Sequence, residues 1–125
     1  MERRRPTNDE IRLIDHLISV TNDFQLPDDW QHQIFVQEML DGGMGSLRLF
    51  LGHHGSEKRL FGRQTADCIF KDIDGVEVIA SLYLDQTGDL FELDIWKTDF
   101  SKLRKIPSSL SKQQIIDNAM IPNEK

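Results

Sequence analysis

Four residues are the ones best suited to act together chemically: Asp67, Tyr83, Glu92 and Asp94. Glu92 and Asp94 stand two apart in "LFELDIWK", the spacing that puts both on one side of a strand. Neighbouring carboxylates raise one another's pKa, and such a pair can divide the roles of acid and base. Several carboxylates together can also hold a hard cation. The plainer account is that an antiparallel sheet keeps one wet face, where acids belong. Recognition of a basic partner lies between these readings and outweighs catalysis. Trp96, with Ile79 and Ile69, makes an apolar row on the same side, of the kind that anchors interfaces. That row is equally suited to being covered by the tail, by the segment 22–31 or by a second copy of the chain.

These assignments depend on registers, which follow from matching apolar faces, because a one-residue slip exchanges core and solvent. Pairing Phe70 with Val78 also aligns Cys68 with Ala80 and Ala66 with Leu82, leaving Ile73-Asp74-Gly75 as a three-residue loop. Pairing Leu84 with Phe91 aligns Leu82 with Leu93 and Ala80 with Ile95. The opposite side then carries three rows: Ile69, Ile79 and Trp96; Asp67, Ser81 and Asp94; Thr65, Tyr83 and Glu92. Phe91, Leu93 and Ile95 are expected in the core.

Five strands are predicted, from "QIFVQEML", "SLRLFLG", "GRQTADCIFKD", "VEVIASLYL" and "LFELDIWK", separated by turns rich in Asp and Gly. Before them, Thr7 and Glu10 have capping-box spacing. Ile11, Ile14 and Ile18, widened by Leu13 and Leu17, form a helical stripe over about 8–21. Pro27, Asp28 and Asp29 suit one further helical turn. The expected fold is α+β: an N-terminal helix packed on one face of a curved, mainly antiparallel five-stranded sheet. It forms a single domain over 1–106, with a polar, flexible tail over 107–125 that holds at most a short helix near 110–120.

Composition narrows the function classes. The chain has 125 residues and a net charge of −6, which disfavours general attraction to nucleic acid or anionic membranes and favours a basic partner. The lone Cys68 excludes an internal disulfide, and no apolar run is long enough to span a bilayer. A cytoplasmic protein is expected, with no cofactor and no metal.

Other motifs have structural readings. "DGGMGS" leads into a strand without a following Lys-Ser or Lys-Thr, so a tight bend suits it better than a phosphate cradle. "DIDG" fails as a calcium loop, since Phe70 and Ser81 would occupy its first and last ligand positions. His53 and His54 are adjacent and lack a partner at ligand spacing. Cys68 falls on the core face. Arg3, Arg4 and Arg5 form a basic cluster that could touch phosphates, fold back on the acids or solubilise the terminus. "RLFGR" suggests a bulge with flanking ion pairs.

The segments "RPTNDE", "MLDGGMGSLRLF" and "RLFGRQTADCIFKDIDGVEVIASLYLDQTGDLFELDIWKTDF" resemble a family of small bacterial proteins known as a domain of unknown function, over about residues 4–106. The resemblance implies a compact single-domain bacterial protein and brings no activity with it. Three functions are weighed. The first is a non-enzymatic interaction module that binds a protein partner or its own copy through Trp96, Ile79, Tyr83, Glu92 and Asp94. The second is a small hydrolase-like enzyme or metal-binding protein built on Asp67, Glu92, Asp94 and Tyr83. The third is nucleic-acid binding through Arg3 to Arg5, which the net charge disfavours; a partner of the toxin-immunity type is a further alternative, by analogy of size and acidity alone.

Overall fold

The structure is a computed structural model that describes residues 2–22, 25–51 and 58–110. Its elements are β1 (Arg3–Arg4), α1 (Asn8–Ser19), α2 (Trp30–Gln33), β2 (Ile34–Glu38), β3 (Leu47–Leu51), β4 (Phe61–Lys71), β5 (Glu77–Asp85) and β6 (Leu90–Lys97). The strands form one open antiparallel sheet in the order β1-β2-β3-β6-β5-β4. The architecture is therefore mixed α and β but mostly sheet, and it has six strands where five were expected. The added strand is β1, in which Arg3 pairs with Gln37 and Arg4 with Val36. Two arginines carry no apolar alternation, so only the free edge of β2 makes them a strand.

The helix forms where its capping residues require. Thr7 Oγ1 accepts from the Glu10 N–H at 3.1 Å, and Glu10 returns the bond by accepting from the Thr7 N–H at 2.8 Å. Leu13, Ile14 and Leu17 are fully buried against one face of the sheet. That face supplies Val36, Leu49, Leu82, Leu93 and Ile95 to the same core. Trp30 of α2 and Ile106 belong to this core too, and Leu103 and Leu110 pack against it. Arg12 donates to the Ile106 and Pro107 carbonyls, so the chain beyond β6 is held on the helix side. Of the flexible tail expected over 107–125, residues 107–110 are described and are held on the core through Pro107 and Leu110; 111–125, and with them nearly all of the short helix expected near 110–120, lie outside the described residues.

The face-matched pairings Phe70–Val78, Cys68–Ala80, Ala66–Leu82, Ala80–Ile95 and Leu82–Leu93 are all present. The Ile73–Gly75 loop closes as expected, with the Asp72 N–H donating to the Val76 carbonyl and Gly75 at φ 83°, where an L side chain would be strained. Bulges correct the ends of the registers. Leu84 pairs with Leu90, which makes Phe91 the extra residue. Phe91 is buried, but outside the helix-side core where it was expected. Gln64, not Thr65, stands opposite Tyr83, and the Thr65 hydroxyl instead meets that of Thr21 at 2.8 Å. A third irregularity skips Gly62, where an added Cβ would run into the Asp85 carbonyl oxygen.

Candidate functional site

The helix, Trp30 and the 103–110 segment all pack on one face, so the other face of the sheet carries the candidate residues. Its rows follow from the ladder. Ile69, Ile79 and Trp96 form one row, and Asp67, Ser81 and Asp94 the next. A third crosses the whole sheet: Gln64, Tyr83, Glu92, Arg48, Gln37 and Arg3, one residue from each strand. The four residues singled out for chemistry thus share one side, on adjacent strands about 5 Å apart.

Their environments differ. Burial, opposed by the Arg48 charge and helped by Asp94, moves the Glu92 carboxyl upward. Burial also moves Asp94 upward; a hydrogen bond from Ser46 opposes this and the charge of Asp41 adds to it. Tyr83 moves upward through burial and then through Asp94, a hydrogen bond to Ser81 opposing; Glu92 and Asp67 add smaller contributions. Raised carboxyl groups suit proton transfer, but catalysis also needs an enclosed site. A cleft of about 220 Å³ opens elsewhere, lined by residues including Arg4, Glu10, Glu38 and Asp41 and by none of Asp67, Tyr83, Glu92 or Asp94. Among the described residues, no group of three or more His, Cys, Asp or Glu is arranged to hold a metal.

Aromatic rings flank the acids. Trp96 is 40% exposed and its ring lies 6.1 Å from that of Phe100, which is 70% exposed. Phe100 has φ 64°, the one non-glycine residue in the left-handed region among those described. For an aromatic residue this conformation is costly. At the other end of the row, exposed Phe61 meets Tyr83 edge-on with centroids 5.3 Å apart.

The half of this face on β1, β2 and β3 has the opposite charge. Arg3 lies 3.7 Å over the Phe50 ring, Arg48 lies 4.7 Å over Phe91, and Arg59 reaches both, at 5.0 and 5.2 Å. The other terminal arginines serve the fold. Arg4 pairs with Glu10 and Glu38 on the helix side, and Arg5 donates to the carbonyls of Gln31, His32 and Ile34.

One grouping escaped the sequence reading. Lys97 is fully buried, and its ammonium donates to Asp72 at 2.9 Å, Asp74 at 2.6 Å and the Lys102 carbonyl at 3.0 Å. Parity was the available signal, because a lysine in step with Leu93 and Ile95 has to find acids nearby. The Arg59–Asp85 pair, at 3.6 Å, realises the bulge with flanking ion pairs expected of "RLFGR". "DGGMGS" is a bend in which Asp41 accepts from the Met44 and Ser46 N–H groups. Cys68 is buried and, through burial and then Asp67, its thiol is pushed up to about 12, as suits a small core hydrophobe. His53 and His54 lie outside the described residues. No described helix is long and apolar enough to cross a membrane.

Among known families, the one described as a domain of unknown function (DUF6984) matches residues 3–107. No curated protein and no solved structure matches the chain.

Proposed function

The chain belongs to this family of unknown function, and we propose that it is a non-enzymatic protein-interaction module. Its binding surface is the acidic and aromatic part of the sheet face that no described segment covers. One observation carries the reading: Trp96 and Phe100 adjoin as exposed rings beside the Asp67–Asp94 row, while every described covering segment packs on the opposite side. Of the two segments named as able to cover Trp96 from within the chain, the described parts lie elsewhere: Trp30 belongs to the helix-side core and Leu110 packs against it. Aromatic residues next to charges of one sign make effective interface centres. The strained backbone of Phe100 keeps its ring beside Trp96, a cost that a binding role would explain.

The partner this surface suits is a protein presenting basic residues around an apolar centre, as the chain's net charge of −6 favours. The test is capture of partners by the purified chain, comparing wild type with Trp96→Ala plus Asp94→Ala and with Phe100→Ala. The expected result is a captured protein that both variants lose and that raised salt weakens. Identical captures by all three chains would overturn the reading. Sedimentation of the chain alone reports whether a second copy occupies the face.

A further inference from the structure

The opposite half of the same face carries an inference that does not depend on the acidic half. β3 and β6 pair only at Leu47–Leu93 and Arg48–Glu92. Beyond those pairs the Arg59 guanidinium joins the strands, donating to the Leu49 carbonyl at 2.6 Å and the Leu90 carbonyl at 2.9 Å. Its side chain is only 11% exposed. Arg48 and Arg3 converge on the same two phenylalanine rings, Phe91 and Phe50. Three guanidinium groups thus gather on an aromatic floor in a chain whose net charge is −6.

The acids nearby do not saturate two of them, Arg48 and Arg59. Nε of Arg59 and Nε of Arg48 are both shut off from solvent and have no hydrogen-bond partner. Glu92 stands 3.8 Å from Arg48 and Asp85 stands 3.6 Å from Arg59, each beyond hydrogen-bonding distance. Buried polar groups are almost always satisfied; here two donors on neighbouring cations lack acceptors, and the buried Asp85 Oδ2 beside Arg59 lacks a donor. Burial weakens the hold of Arg59 on its proton; Asp85 opposes this, Arg48 and then Arg3 add to it, and Asp89 opposes it again. A single oxyanion would supply both the acceptor and the counter-charge.

We propose that Arg48, Arg59 and Arg3, over Phe50 and Phe91, form a binding site for an oxyanion, the phosphate or carboxylate group of a small ligand. Arg59 already donates Nη1 and Nη2 to the Leu90 and Leu49 carbonyls, so Arg48 is the group that would take an in-plane acceptor, the geometry by which arginine binds such groups, with the charges of Arg59 and Arg3 beside it. The Arg48 side chain is 34% exposed, so a ligand can reach the site from solvent.

The test is titration of the full chain, followed by calorimetry and thermal shift, with inorganic phosphate in one arm and acetate in the other. Ionic strength is held constant with sodium chloride. Saturable binding of either anion is expected, and the arm that binds identifies the source. Arg48→Gln should weaken it about tenfold or more, the loss of one charge-assisted hydrogen bond. Lys71→Gln, at the far end of β4, should leave it unchanged. Arg59→Gln also removes a strand staple and can fail to fold, so Arg48→Gln decides the matter. Absence of saturable binding in both arms, or equal binding by Arg48→Gln and wild type, would overturn the proposal.

Discussion

Lys97 and Arg59 are both cations withdrawn from water, and the protein treats them differently. Lys97 has three hydrogens and three acceptors, in Asp72, Asp74 and the Lys102 carbonyl. Asp72 is as fully used: besides Lys97 it accepts from the N–H groups of Ile73, Arg104 and Lys105. This closed network ties the β4–β5 hairpin, the end of β6 and the segment after it into one unit. Arg59 also bridges strands, yet its Nε and that of its neighbour Arg48 are left without acceptors. A saturated buried charge holds structure together and leaves no capacity for a ligand. An unsaturated one keeps donors in reserve, at a cost in stability that a bound anion can repay.

Substitution can sharpen this contrast. Asp72→Ala strips Lys97 of one buried acceptor and orphans three backbone donors, so it should destabilise the fold by about 3 kcal/mol or more in urea unfolding. A much smaller loss would mean the network is not closed as described. Acid should act on the same group. Burial alone would raise the Asp72 carboxyl, but bonds from Arg104, Lys97, Ile73 and Lys105 outweigh it and hold the group at about 2. Its contribution is therefore complete above the ordinary carboxylate range and fades as pH falls from about 4 towards 2. Thermal unfolding of wild type across that window should show a decline that Asp72→Ala largely lacks.

Arg59→Lys keeps the charge but cannot span both carbonyls; a loss of about 1–2 kcal/mol is expected in the same unfolding measurement. Arg48→Gln should change stability by no more than about 0.5 kcal/mol while weakening anion binding, the signature of a residue held for a ligand rather than for the fold. Trp96→Ala should likewise be close to neutral in thermal denaturation. A large loss there would show that the ring is part of the packing, and would weaken the interaction reading.

Much of this was legible in the residues. Period-two alternation paired Ala80 with Ile95 and Cys68 with Ala80, and the same alternation put Asp67 and Asp94 in one row. The bulge at Gly62 was marked by "RLFGR", but those at Thr65 and Phe91 were not legible, because an extra residue in one strand without a glycine has no local marker and depends on the partner it faces. That is why Phe91 was assigned to the helix-side core and instead became part of the arginine floor. Lys97 escaped for the opposite reason. Its parity was plain, but its acids come from a hairpin some 25 positions earlier in the chain.

The sequence by itself determined the local units: the capped helix with its apolar stripe, the Asp- and Gly-marked turns, and the two faces of each strand. These follow from steric preferences and from side-chain periods that act within a few residues. Only the tertiary structure decided that β6 lies between β3 and β5, that β1 joins the edge, and that the helix and the 103–110 segment share one face. Strand order is set by backbone hydrogen bonds that every residue can make and by long-range burial. Nothing local in the chain records, for that reason, that Arg48 would meet Glu92 or that Arg59 would fill the gap where two strands part.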